Sequence, residues 1–227
     1  DGHPPYPGMS APANTALLLI DFQRDFCAPG GYAGRCGGVA WAQEIIPAAR
    51  RLLLAARAAG ILVVHTREGY GPDLGDCHPA KLARSRRAGA EIGSPGPLGR
   101  LLIRGEYGHD FVDELTPVAG ELVIDKATYG AFCHSPLEDH LRWRGIECCA
   151  IAGVTADVCV HTTLREATDR GFHCLYVRDA ISTFDPGLRR ACEDMIGMEG
   201  GVWGEIVTVD RLVGCWSAGR VAGPPLP

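Results

Sequence analysis

The strongest constraint in this chain is a series of short apolar runs, each closed by a polar or charged residue and each followed by a stretch with helical character. TALLLIDF (15–22), ILVVHT (61–66), ELVIDK (121–126), CCAIAGV (148–154) and HCLYVRDA (173–180) are each about the length of one strand. Their nearly continuous apolarity predicts strands buried on both faces, as in parallel sheets. Between them lie helical stretches. Residues 39–59 are Ala-rich and stop at Gly60, and SPLEDHLRWRG (135–145) opens with Ser and Pro. VCVHTTLREATDRG (158–171) ends at Gly171, and a further helix is expected over 186–198. VWGEIVTVDRLV supplies a last short strand. This alternation predicts an α/β fold: a single-domain doubly wound sandwich, mostly parallel, with helices on both faces. We expect an N-terminal arm at 1–14, one domain at 15–213 and a tail at 214–227. The Gly- and Pro-rich stretch 67–105 reads as a long, partly structured excursion, of the kind that usually has a function.

Composition narrows the function classes. With 227 residues and a net charge of −5, the chain lacks the basic footprint of a nucleic-acid binder. The one basic cluster, Lys81, Arg84, Arg86 and Arg87, reads as a solvated face. No apolar run reaches the ~18 residues of a membrane span, and the Pro-rich start has no apolar signal core. A cytoplasmic location is therefore expected. The ten cysteines are scattered without a CxxC pair, so most should be buried small side chains.

In doubly wound sheets, ligands bind beyond the carboxyl ends of the strands. Three polar residues stand there: Asp21 after LLLI, Lys126 after LVID, and Cys159 at the start of a helix after CCAIAGV. A thiolate is favoured by a helix N-terminus and a nearby cation, which position 159 and Lys126 supply. Asp21 is placed to accept the thiol proton and return it to a leaving amine. Backbone N–H groups at the helix start suit a developing oxyanion. His161 falls on a different side of the helix from Cys159 and reads as structural, at a possible subunit contact.

The segments LLLIDFQRDF, VIDKATYGAF and GVTADVCVHTTLREATDRGF resemble the isochorismatase-like cysteine hydrolases, in order and over nearly the whole domain. The resemblance implies a catalytic Asp21–Lys126–Cys159 triad. It also implies a cis peptide at Val154–Thr155 and an oxyanion hole from the N–H groups of Thr155 and Cys159. Within that family, HTREGYGPDL, AKLARSRRAGAEIGSPGPLGR, RGEYGHD and MEGGVWG look like the biuret hydrolases and their triuret-cleaving relatives. That implies attack on a terminal carbamoyl group of a small urea-like substrate, release of ammonia, and hydrolysis of a thioester by water that Asp21 activates. Ureidoacrylate, N-carbamoylsarcosine, guanylurea and nicotinamide are the alternative substrates, and a non-catalytic scaffold of the same fold the alternative class. Phe26, Tyr129 and Phe132 are candidate pocket walls, and Arg67 and Arg87 candidate carbonyl or carboxylate binders. Glu199 stands where biuret hydrolases carry Gln, so it is expected to shift preference toward a more N–H-rich ligand. No cofactor is expected. His65, Asp73, Asp76 and His78 do not match the family's metal-binding spacing, so no metal is expected either. Relatives of this kind are usually dimers or tetramers, which makes a homodimer or homotetramer the expected assembly.

Overall fold

A computed structural model describes residues 11–218. Six strands form one sheet: β1 (Thr15–Ile20), β2 (Leu62–Glu68), β3 (Leu122–Lys126), β4 (Cys148–Val154), β5 (His173–Ser182) and β6 (Glu205–Val207). Their spatial order is β3-β2-β1-β4-β5-β6, and every pairing is parallel. The chain winds outward from β1 in both directions, so the switch in strand order lies between β1 and β4. A crevice opens there at the carboxyl ends.

Side chains alternate across this sheet. Leu17 and Leu19 of β1 join one core, with Leu52, Leu53 and Ala56 of helix α1 (Ile46–Ala59). Ala16, Leu18 and Ile20 join the other, with Leu141 of α3 (Leu137–Trp143), Leu164 of α4 (His161–Asp169) and Ile196 of α5 (Pro186–Gly197). Helix α2 (Pro79–Arg87) lies within the 67–105 excursion. All six residues of β1 are buried, which explains why its sequence does not alternate with water. Truncating Leu17 or Leu18 to Ala would cost about 2–5 kcal/mol.

Three boundaries differ from expectation. The helix expected over 39–59 is broken. A turn at Ala40–Gln43 precedes α1, whose second residue, Pro47, has no N–H to continue an earlier helix. β2 runs two residues past Thr66, through Arg67 to Glu68. Helix α6 (Val209–Ala218) crosses the expected boundary at 213. Val209, Leu212 and Trp216, spaced three and four apart, are buried against the core, so this segment belongs to the domain. Of the expected N-terminal arm, only 11–14 is described, as a single 3-10 turn at Pro12–Asn14. No described helix is long and apolar enough to cross a membrane.

Candidate active site

Asp21 directly follows β1 with φ +53, a backbone conformation uncommon for a residue other than glycine. Thr66 on β2 holds it there. The Thr66 hydroxyl accepts from the Asp21 N–H (3.1 Å) and donates to Asp21 Oδ1 (2.5 Å). Lys126 ends β3 and donates to Asp21 Oδ2 (2.8 Å) and to the carbonyls of Thr128 (3.0 Å) and Tyr129 (2.9 Å). An ammonium has three donors, and all three are used. Lys126 therefore acts on its surroundings through charge. Burial opposes that charge, but Asp21, then Cys159 and Glu68, outweigh it and raise the Lys126 pKa.

Cys159 comes from the turn after β4. Gly153 is required in that strand: a Cβ there would lie 2.2 Å from the Ile20 carbonyl oxygen. The Val154–Thr155 peptide is cis. Residues Ala156–Val160 form a single π-helical turn before α4. Such turns occur often at functional sites. The Cys159 Sγ donates to Glu68 Oε2 at 3.3 Å. The Cys159 sulfur and one carboxylate oxygen each from Asp21 and Glu68 all lie within 4.8 Å of one another.

Glu68 was not among the expected site residues. The sequence held the signal, a charged residue just past an apolar run, but the expected strand stopped at 66. Glu68 Oε1 accepts from Lys81 Nζ (2.9 Å) and from the Tyr70 hydroxyl (2.8 Å). Burial alone would raise its pKa, yet the ammoniums of Lys126 and Lys81 hold it below the usual carboxylate value. Lys81 is thus not part of a solvated face. It is buried, bonded also to the Ala127 carbonyl (3.1 Å), and sits 3.9 Å above the Tyr129 ring. Two ammonium–carboxylate pairs converge on one sulfur.

The thiol itself departs from expectation. Burial pushes the Cys159 pKa well above its ordinary value; Lys126 lowers it, but Asp21 and Glu68 raise it again. The resting sulfur is protonated, between two carboxylates able to accept that proton.

A cavity of about 440 Å³ opens onto Cys159, Glu68, Lys81 and Thr155. Phe26, Tyr32, Trp41, Tyr129 and Phe184 give it aromatic walls. Asp21 is fully buried and not among its wall residues. A larger depression elsewhere, lined by Arg24, Arg50, Glu114 and neighbours, holds none of these groups.

Of the candidate pocket residues, Phe26 and Tyr129 stand on the cavity wall and four others lie elsewhere. Phe132 is buried beside Phe172. Arg67 pairs with Asp125 (2.7 Å) and Asp110 (3.0 Å). Arg87 is exposed in the last turn of α2, where Arg84, one turn earlier, reaches the cavity instead. Glu199 is exposed in the turn after α5 and does not line the cavity. His161 is buried and accepts from Arg165 Nε through Nδ1 (3.0 Å).

The residues weighed as metal ligands are engaged separately. His65 Nε2 meets Glu121 (2.8 Å), Asp73 accepts from the Gly75 N–H (3.1 Å), Asp76 pairs with Arg104, and His78 caps α2. Asp21, Glu68 and Cys159 come together, but Lys126 and Lys81 already supply positive charge to both carboxylates.

A parallel sheet in this order, flanked by helices and with a buried Asp–Lys pair and a cysteine turn at its crevice, is a doubly wound α/β architecture of the cysteine-hydrolase kind. The isochorismatase domain model matches residues 15–200, and the chain belongs to the isochorismatase family. It is 32% identical to the ureidoacrylate amidohydrolase RutB of Methylobacterium radiotolerans over 82% of this chain and 74% of that protein. It is 31% identical to the RutB of Klebsiella pneumoniae subsp. pneumoniae, over 78% and 76%. Among solved structures, a cysteine hydrolase from Pseudomonas syringae pv. phaseolicola superposes with a TM-score of 0.78 at 23% identity, covering 92% of this chain and 95% of that one. N-carbamoylsarcosine amidase from Thermoplasma acidophilum gives a TM-score of 0.68 at 24% identity, covering 87% and 97%.

Proposed function

We propose that this protein is a cysteine amidohydrolase that cleaves the C–N bond of a small ureide or amide and releases ammonia. The observation that carries this reading is the thiol of Cys159, held between two carboxylates at the wall of a cavity. As the substrate carbonyl approaches, the thiol proton passes to Asp21 and sulfur bonds to carbon. The Lys126 charge favours the thiolate as it forms. The N–H groups of Thr155 and Cys159 receive the oxyanion. The C–N bond then breaks as nitrogen takes the proton from Asp21, leaving a thioester on Cys159. Hydrolysis of that thioester completes the cycle.

The cavity favours a ureide with a flat body over bare biuret. Its volume falls within the ~300–1,000 Å³ typical of sites for much larger ligands, and its walls are aromatic. Arg84 at the wall has no ion pair or side-chain hydrogen bond among the described residues, so a carboxylate on the substrate would find a guanidinium there. The names of the sequence relatives point the same way, to ureidoacrylate. Biuret or triuret is the second reading. It is supported by the segments that supply Glu68, Tyr70, Lys81 and Arg84.

An ammonia-release assay over ureidoacrylate, N-carbamoylsarcosine, biuret, triuret and nicotinamide tests both. The highest kcat/KM is expected for ureidoacrylate, with turnover abolished in Cys159→Ser. Ammonia from none of them, or undiminished release by Cys159→Ser, would reject the reading.

A further inference from the structure

The two carboxylates beside Cys159 differ in what they can reach. Both Asp21 oxygens are already engaged, Oδ1 by Thr66 and Oδ2 by Lys126, and Asp21 is not among the residues of the cavity wall. Glu68 is on that wall. Its Oε1 is anchored by Lys81 and Tyr70, which leaves Oε2 with the Cys159 sulfur as its one protein partner among the described residues. A water arriving through the cavity after ammonia has left would therefore meet Glu68 before Asp21.

We propose that Glu68 is a second catalytic carboxylate, serving the hydrolytic half of the reaction. This rests on the thioester chemistry proposed above. In that half, a water in the cavity donates its proton to Glu68 Oε2 as its oxygen bonds to the thioester carbonyl carbon. The tetrahedral intermediate collapses, the C–S bond breaks, and the electron pair returns to sulfur. Glu68 then passes its proton to that sulfur, the atom 3.3 Å from Oε2. The acid product leaves, and both groups regain their resting states, a thiol and a carboxylate. No further reactant is needed. Asp21, behind the sulfur, carries the proton of the first half from thiol to leaving nitrogen. Tyr70 and Lys81 are positioning residues: they fix Oε1 so that Oε2 faces sulfur and cavity.

The two halves separate in the variant Glu68→Gln, which keeps the shape and loses the base. With the substrate the wild type turns over fastest, the first turnover should stay within a few-fold of wild type. It should release about one ammonia per subunit. The steady-state rate should then fall by about 10²–10⁴-fold, the usual contribution of a general base. Intact-protein mass spectrometry should find the acyl group on Cys159. Hydroxylamine, a nucleophile that needs no base, should restore turnover and yield the N-hydroxyurea from a ureide or the hydroxamate from an amide. A merely structural role would give neither the adduct nor the rescue. If Glu68→Gln melts below the assay temperature, Glu68→Asp keeps the charge one carbon further from sulfur and should show the same burst with a milder loss. An unchanged steady-state rate, or a first turnover slowed as much as later ones with no adduct, would overturn the role of Glu68 while leaving the amidohydrolase intact. A wild type that forms no ammonia from any ureide or amide would overturn both.

Discussion

Strand β3 carries a buried or half-buried ion cluster at each end, and the two are built from similar parts. Just before its start, Glu121 accepts from Arg57 (2.7 and 2.9 Å), His65 (2.8 Å) and the Val118 N–H (3.0 Å). At its end, Lys126 meets Asp21, with Glu68, Lys81 and Cys159 alongside. Burial works against the Glu121 charge, but Arg57, the Val118 N–H and His65 hold its pKa down at about 2. Both of its oxygens are committed to donors, and neither it nor His65 is on the wall of the cavity at Cys159. The other cluster keeps a proton on sulfur beside two carboxylates and opens that atom to a cavity. Buried charge is common to both. A movable proton next to accessible space belongs to one.

The contrast breaks most sharply at Lys126. Lys126→Met leaves the Asp21 carboxylate buried without its ammonium, a loss that typically costs about 3–5 kcal/mol. It should also remove most activity, because the thiolate loses the cation that favours it. Thermal unfolding and ammonia release measure the two effects. A variant that is folded and nearly as active would show that the Lys126 charge is dispensable.

The other end should respond in stability alone. Glu121→Gln is expected to lower Tm at pH 7 by several degrees, at roughly 2–4 °C per kcal/mol for a domain of this size. It should leave kcat nearly unchanged. The sign with pH follows from a folded pKa of about 2 against an ordinary 4.5. The Glu121 contribution is complete above about 4.5 and fades as pH falls toward 2, so the gap between wild type and variant should close over that window. Melting curves at pH 7, 4 and 2.5 check it; a gap that widens on acidification would contradict the assignment.

The smallest effect is expected at Glu199, which lies outside both clusters. Glu199→Gln should leave the ratio of kcat/KM for biuret and triuret within about two-fold of wild type. A larger change in that ratio would bring the turn after α5 back into substrate recognition.

Much of the fold was readable because burial on both faces leaves an unbroken apolar run, and β4 begins and ends where its sequence does. The residues that end or follow the strands, Asp21, Lys126 and Cys159, were readable for the same reason: a polar side chain is conspicuous after an apolar stretch. Glu68 was hidden by register. His65, Thr66 and Arg67 make the end of β2 look polar, yet His65 and Thr66 are buried and the strand continues. Lys81 was hidden by its neighbours, since Arg84, Arg86 and Arg87 make α2 look solvated although one face of it, with Lys81 and Ser85, is buried. The charge state of Cys159 differs from the sequence-based expectation chiefly because local spacing shows the cation but neither the burial of the sulfur nor the second carboxylate beside it. Phe132 is suggested by chain proximity, Glu199 by likeness, and Arg67 and Arg87 by the chemistry of a guanidinium, none of which fixes the direction of a side chain.

Most of the cavity wall and the proposed catalytic groups come from different segments. Asp21 and Lys126 stand at the ends of β1 and β3 and Cys159 on the short turn that leaves β4, whereas Phe26, Trp41, Arg84, Ile92 and Leu102 belong to the longer connections from β1 to β2 and from β2 to β3. Changes in those connections can reshape what enters the crevice while the sulfur and its proton acceptors stay where the sheet puts them. Under the chemistry proposed above, a lineage built on this frame can therefore admit a different amide by altering loops, with no need to reinvent the bond-breaking step.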